Sequence, residues 1–295
     1  MIEEIRALAR ELLEKGTVEC VVGYEAGPAL GKVEGPTGRV RPAFVYEPGD
    51  VGRLIFDGRC GQNLVTYLTR RNKPRKKGEE VPTTAVVVKP CDARSLRVLL
   101  NEHQVQRDKV YVIGVACQGM QNADGSPELR CTRCAQRVPL FYDALCGKPP
   151  EVPAVRDAYE DVQEIEALPL AERLAYWLGE LDRCIRCYAC RQACPTCFCS
   201  VCEAERDDSL WVGIADRIPE KAFFHIIRAF HQAGRCAECN TCEAVCPMGI
   251  PLSLINRKIA RDVAQMMGGY RAGESDEPTP LITMLTGEEA IDEIH

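Results

Sequence analysis

Apolar residues recur every three or four positions at the start of the chain. Ile2, Ile5, Leu8, Leu12 and Leu13 share one face of a segment otherwise rich in Glu and Arg, so residues 1–16 are predicted to form an amphipathic helix. From 17 to 57 the pattern changes to Gly, Pro, Val and Phe without a helical period, which predicts short strands. A turn at Gly58-Arg-Cys-Gly61 precedes a helix over 62–71, and a basic loop at 73–77 leads into the β-branched run Thr83-Thr-Ala-Val-Val-Val88, a buried strand. Leu96, Leu99 and Leu100 give residues 92–104 a helical spacing, and Val110-Tyr-Val-Ile-Gly-Val115 is a second buried strand. Strand, helix and strand of these lengths make a βαβ unit, whose two strands must run parallel.

Residues 147–169 carry Pro149, Pro150, Pro153 and Pro169 around an acidic stretch and read as a linker. Beyond it, 171–181 and 220–233 are helical, and the Gly-, Pro- and Glu-rich tail after Gly268 is expected either to wrap a neighbour or to stay mobile. The expected architecture is an α/β N-terminal domain with a parallel βαβ unit over 1–148 and a linker over 149–170. A mainly α-helical ferredoxin-like domain follows over 171–268, then a tail over 269–295.

Composition narrows the function classes. At 46% hydrophobic and 27% charged residues the chain is built to fold, and 43 acidic against 37 basic residues argue against nucleic acid as a partner. The first helix lacks the basic start, apolar core and cleavage site of a signal peptide, and no run of 18 apolar residues spans a membrane. A cytoplasmic protein with reduced thiols is expected. That makes the 18 cysteines candidates for metal or redox chemistry.

Cys184, Cys187, Cys190 and Cys194 form C-x2-C-x2-C-x3-C followed by Pro195, and Cys236, Cys239, Cys242 and Cys246 repeat it before Pro247. This spacing places three thiolates on one 4Fe-4S cubane and directs the fourth to a second cluster. The expected sets therefore cross: Cys184, Cys187, Cys190 and Cys246 on one, Cys236, Cys239, Cys242 and Cys194 on the other. Paired structural zinc sites are the alternative, though zinc needs no third C-x2 step and no following Pro. Phe223, Phe224, Ile227, Ala229 and Phe230 of the intervening helix would cover the clusters. Cys197, Cys199 and Cys202 either hold a further cluster, with Cys20, Cys60 or Cys146 as fourth ligand, or tune the first two.

In the first half, Cys91 and Cys117 follow the two buried strands and should meet at their C-terminal ends, where open α/β sheets bind ligands. Cys131-Thr-Arg-Cys134 supplies two more thiols; the alternative is isolated buried cysteines plus a stray C-x-x-C. Cys20 and Cys146 read as core thiols, and His103, His225, His231 and His295 as packing or surface residues. Lys73 to Lys77 reads as a solvated loop or a docking patch for an acidic partner. There is no G-x-G-x-x-G after a strand, and Gly27-Pro-Ala-Leu-Gly31-Lys32 falls short of a P-loop.

Gly61-Gln-Asn-Leu-Val-Thr66-Tyr-Leu, Lys89-Pro-Cys-Asp-Ala-Arg-Ser-Leu96, Gly114-Val-Ala-Cys117 and Cys131-Thr-Arg-Cys134, with Pro139 and Asp143, resemble the beta subunit of deazaflavin-reducing hydrogenases and formate dehydrogenases over about residues 15–150. The second half resembles the helical two-cluster domain of heterodisulfide-reductase and succinate-dehydrogenase subunits. The resemblance implies one N-terminal 4Fe-4S cluster on Cys91, Cys117, Cys131 and Cys134, and an FAD that exchanges a hydride with the deazaflavin. The FAD diphosphate would sit at the turn from Gly58 to Gly61, with Asn63 and Thr66 as polar contacts and Lys89 and Arg94 nearby; the same turn also reads as a plain helix cap.

The sequence thus leads to an iron–sulfur, FAD-containing electron-transfer subunit of a formate dehydrogenase, hydrogenase or heterodisulfide-reductase-type complex. It would carry at least three 4Fe-4S clusters, four if Cys197, Cys199 and Cys202 hold one, and dock on other redox subunits. The rival reading is a flavin-free polyferredoxin-like relay.

Overall fold

The computed structural model describes residues 1–27, 40–71, 79–122, 124–151, 157–206, 208, 213 and 215–280. The basic loop at 73–77 and His295 lie outside the described residues, as do Pro153 and most of the Gly27–Lys32 stretch. The chain divides into two compact units, Met1–Arg156 and Asp157–His295.

The first unit opens with helix α1 (Ile2–Glu14), which buries Ile5, Ala9 and Leu12. Its Arg6 donates to the carbonyls of Leu54 (2.8 and 3.0 Å) and Gly52 (3.1 Å). Six strands follow: β1 (Cys20–Ala26), β2 (Val40–Val45), β3 (Leu54–Ile55), β4 (Thr84–Val88), β5 (Val110–Val115) and β6 (Ala144–Cys146). They form one mixed sheet in the order β2-β1-β4-β5-β6, with β3 paired antiparallel to the end of β1. β1, β4, β5 and β6 run parallel and β2 is antiparallel to β1. Buried Glu25 of β1 pairs with Arg41 of β2 (2.8 Å) and with Arg53 (2.6 Å), the residue before β3, pinning the antiparallel edge.

All five residues of β4 are buried, as a strand covered on both faces requires. Val86 pairs with Val112 and Val88 with Gly114, so the predicted parallel βαβ unit is present, with the helix Pro90–Asn101 as the crossover. Short helix α2 (Leu68–Arg71) precedes α3 (Pro90–Asn101), and α4 (Leu129–Thr132) follows. The helix expected over 62–71 is a 3₁₀ turn (Leu64–Tyr67) running into α2; Asn63 starts it by accepting from the Val65 amide at 3.1 Å. α3 ends before His103, whose left-handed backbone (φ 54) a helix cannot continue.

The second unit is helical: α5 (Glu160–Glu166), α6 (Leu170–Asp182), α7 (Ala189–Ala193), α8 (Ile218–His231), α9 (Thr241–Ala244) and α10 (Leu252–Met266). Leu181, Phe224, Ile250 and Leu252 share its core with Cys184, Cys190 and Cys242. Of the α8 residues expected to cover the cysteines, Phe224 and Ala229 are buried, whereas Phe230 is 63% exposed. Arg257 of α10 is buried and reaches Asp157 (2.7 Å), Asp161 (2.9 Å) and Glu238 (3.1 Å), tying α5 and the second cysteine loop to α10. The segment to residue 280 packs back, with Tyr270 donating to the Gly234 carbonyl at 3.0 Å; the rest of the tail lies outside the described residues. The expected fold class, an α/β domain followed by a mainly helical one, is the fold observed.

Candidate functional site

Proline at the first helical position and aspartate at the third favour a helix start. The run Lys89-Pro90-Cys91-Asp92 therefore ends β4 and begins α3, with the Asp92 carboxylate accepting the Lys89 amide at 3.1 Å. The Lys89 side chain turns inward with no solvent exposure. Its ammonium lies 2.7 Å from Asp92 and donates to the Gln62 carbonyl at 2.8 Å and to the Tyr24 hydroxyl. Burial works against this charge, but the Asp92 carboxylate and Tyr24 outweigh it and raise the Lys89 pKa. Burial likewise pushes Tyr24 up and keeps its phenol protonated. A cation is thus locked between the ends of β1 and β4, at the sheet edge where ligands of open α/β folds enter.

The residues expected to cradle FAD have protein partners here. A side chain at Gly58 would meet Gln121 at 2.7 Å, and one at Gly61 would meet Glu128 at 2.7 Å and Arg130 at 3.1 Å, so these side chains pack closely against both glycines. Asn63 caps the 3₁₀ turn and donates to Ser95 at 2.9 Å, while Thr66 receives the Thr69 hydroxyl on its carbonyl (3.2 Å). Lys89 is committed to Asp92, and Arg94 is buried on α3. Asn63 caps the turn as the helix-cap reading expects, and with these side chains committed to one another the flavoprotein assignment is corrected.

Among the described residues the four thiols expected at the strand ends are not arranged to hold a metal ion, although Cys117 lies close enough to Cys131 to feel its charge. Cys91 lies on the first turn of α3, 3.8 Å from Asp92. Cys117 is buried after β5 and accepts the Gly119 amide (3.4 Å); Cys131 accepts the Met120 amide (3.2 Å). Cys134 is turned away, donating to the Gln136 carbonyl at 3.1 Å. Burial raises Cys117 and pushes Cys60 and Cys146 up to about 11, so these thiols are protonated. Cys20 and Cys146 are buried in the sheet.

In the second unit the two cysteine motifs adopt the same backbone. Of six left-handed non-glycine residues among those described, four occupy matching places in the motifs: Arg186 and Tyr188 in the first, Glu238 and Asn240 in the second. Strain of this kind gathers at functional loops. It aims the Arg186 amide at Cys184 (3.3 Å) and the Glu238 amide at Cys236 (3.4 Å). The tertiary fold sets Cys246 beside Cys184, Cys187 and Cys190, since the four line one cavity with Tyr188, Phe224 and His225. Cys194 lies close enough to Cys242 for the two to influence each other's charge.

Sequence spacing alone leaves out the groups around these thiols. His225, Arg228 and Gln232 form a polar stripe on the buried side of α8. The His225 Nε2 is 3.2 Å from the Cys184 sulfur; burial, with Arg228 and Arg186, pushes the imidazole down to about 4 and keeps it neutral. Arg228 donates to the Cys190 carbonyl at 3.1 Å; burial opposes its charge, and Cys242, Cys194, Cys197 and Cys190 outweigh that and raise it further. The Cys197 thiol, followed by the Arg228 cation, holds Cys194 well below the ordinary thiol range, and the same contact pushes Cys197 up. The spacing of 225, 228 and 232, continuing from buried Lys221 among apolar residues, is the signal that could have found them.

Among the described residues, no group of three or more His, Cys, Asp or Glu side chains is arranged to hold a metal ion. Burial lifts Cys190 to about 11 and Cys242 to about 12, and raises Cys184 and Cys236 as well. Cys197, Cys199 and Cys202 likewise form no ligand set. The 4Fe-4S clusters, the fused ferredoxin domain, the iron–sulfur flavoprotein function and its polyferredoxin alternative are corrected together, and paired zinc sites fall with them.

No family model matches the chain. It is similar over nearly its whole length to two curated proteins. The F420-dependent formate dehydrogenase subunit beta of Methanocaldococcus jannaschii is 25% identical over 372 aligned positions, covering 95% of this chain and 94% of that protein. The F420-dependent formate dehydrogenase 1 subunit beta of Methanococcus maripaludis is 24% identical over 373, covering 94% and 92%. Both alignments are longer than this chain, so they open gaps against it. The similarity extends well past residue 150, where the resemblance carried by the N-terminal motifs stops. Among the described residues no helix is long and apolar enough to cross a membrane.

Proposed function

We propose that this chain is the beta-type subunit of a multi-subunit oxidoreductase and acts only with a separate catalytic dehydrogenase subunit. The observation that carries this reading is the end-to-end similarity to two formate dehydrogenase beta subunits, which takes in both units of the chain and nearly all of each relative. An isolated shared module would align over one unit alone. The similarity supports a general oxidoreductase-subunit role. The relatives' names make formate the first electron donor to test and the deazaflavin the first acceptor.

The first unit suits a supporting role. The end of the sheet where a ligand would enter holds a Lys89–Asp92 pair, and Gln121, Glu128 and Arg130 pack against its turn. Asp92 there is spent on Lys89 and Tyr24 is held protonated, so neither is poised to take a proton from a substrate. Native purification through a tag on this chain tests the reading. We expect a stoichiometric complex with a catalytic subunit identified as a dehydrogenase. A chain that elutes alone from its own cells, or with no redox protein, would overturn it.

A further inference from the structure

We propose that the outward face of α8 is an interface that pairs two copies of this chain, their α8 helices lying antiparallel across a two-fold axis. A surface helix ordinarily turns its apolar stripe to the core and its polar face to water. Helix α8 does the reverse. At about 100° per residue, Lys221, His225, Arg228 and Gln232 fall on one line along the helix, and all four are buried. Their partners hold them there: Lys221 donates to the Asp182 carbonyl (2.6 Å), Arg228 to the Cys190 carbonyl (3.1 Å) and Gln232 to the Thr196 carbonyl (3.3 Å), and His225 lies 3.2 Å from the Cys184 sulfur. The opposite line carries Phe223, Ile226, Ile227 and Phe230. Ile226 is 46% and Phe230 63% exposed, and Phe223 and Ile227 are half-buried. Helix α6 packs on α8 and leaves Leu170 and Leu174 exposed, which widens the apolar surface.

The order of residues along this face selects a second copy as its occupant. The spacing i, i+3, i+4, i+7 makes the stripe symmetric about its own middle. With a two-fold axis passing between Ile226 and Ile227, Phe223 of each copy meets Phe230 of the other and Ile226 meets Ile227, so the surface is complementary to itself, as a closed pair requires. The charges follow the same symmetry. Glu220 flanks the stripe at its N-terminal end and His231 flanks it on the same edge at the C-terminal end. Antiparallel pairing therefore sets Glu220 of each copy beside His231 of the other. One buried carboxylate oxygen of Glu220 has no hydrogen-bond partner among the described residues, and the imidazole of the other copy brings a donor to it. Opposed helix dipoles favour the same orientation. This inference is independent of the proposed subunit role and fails separately from it, because pairing is read on the isolated chain.

Sedimentation equilibrium of the purified full-length chain, with its thiols kept reduced, tests the proposal. We expect the mass to rise with concentration from one chain to two and to stop there. Ile226→Glu sets two carboxylates against each other at the axis and should weaken pairing by about a hundredfold, with the circular dichroism spectrum unchanged because the residue is exposed in the single chain. Glu220→Arg and His231→Glu should each weaken pairing, and the two substitutions together in one chain should restore it, since the opposite charges exchange places. A single-chain mass at every concentration would overturn the proposal, as would a doubled mass that survives Ile226→Glu, or a double variant that pairs no better than either single one. A one-to-one complex with a dehydrogenase subunit that Ile226→Glu splits would give the face to that subunit and overturn the assignment to a second copy.

Discussion

Lys89 and Asp92 are both fully buried and 2.7 Å apart. Removing one partner of such a pair leaves a charge without compensation and costs about 3–5 kcal/mol, whereas replacing both by apolar residues is often neutral. Asp92→Ala should therefore lower the stability of the full chain in urea by about that amount, and Lys89→Met/Asp92→Leu should recover most of it. An Asp92→Ala midpoint equal to wild type would show that Tyr24 and Gln62 satisfy the ammonium by themselves. Asn63→Ala should cost about 1 kcal/mol through loss of the cap on Val65, read in the same titration. These partners are only partly legible in sequence. Asp92 three residues after Lys89, behind Pro90, announces a helix start, but Tyr24 and Gln62 come from distant positions that only the sheet brings together. The cysteines show the opposite failure: their spacing is plain, yet the burial of each sulfur and its local partners, such as Gln136 for Cys134, are invisible before folding.

At the scale of elements, the strongly periodic segments were readable: residues 2–14, the two buried strands and their crossover, and the helices at 170–182 and 218–231 lie within a few residues of their expected bounds. The misses are places where side-chain partners decide. Asn63 starts a 3₁₀ turn where apolar spacing suggests a uniform helix, and α8 leaves Phe230 exposed because His225, Arg228 and Gln232 take the buried side. Two substitutions probe element packing. A Cβ at position 23 would come within 2.6 Å of Leu54, so Gly23→Ala should press β3 away from β1 and cost about 1–3 kcal/mol. Arg257 joins α5, α10 and the second cysteine loop through three carboxylates. Arg257→Ala should take that cation from Asp157 and Asp161, Glu238 keeping Arg271 at 3.2 Å, and destabilise the second unit by about 3–5 kcal/mol. Limited proteolysis should then cut first near 157–161, and an unchanged pattern would show that α5 is held by other contacts.

For the molecule as a whole, the account rests on a chain whose two units are both matched by the same relatives and in whose first unit neither Asp92 nor Tyr24 is poised as a base. Such a chain should do its work in a complex. Reconstitution with the purified dehydrogenase partner measures this directly, by following formate-dependent reduction of an artificial dye and of the deazaflavin with and without this chain. The account predicts that the partner alone reduces the dye, that deazaflavin reduction requires both proteins, and that this chain alone does neither. Formate oxidation by this chain alone, or equal deazaflavin reduction by the partner without it, would contradict the account.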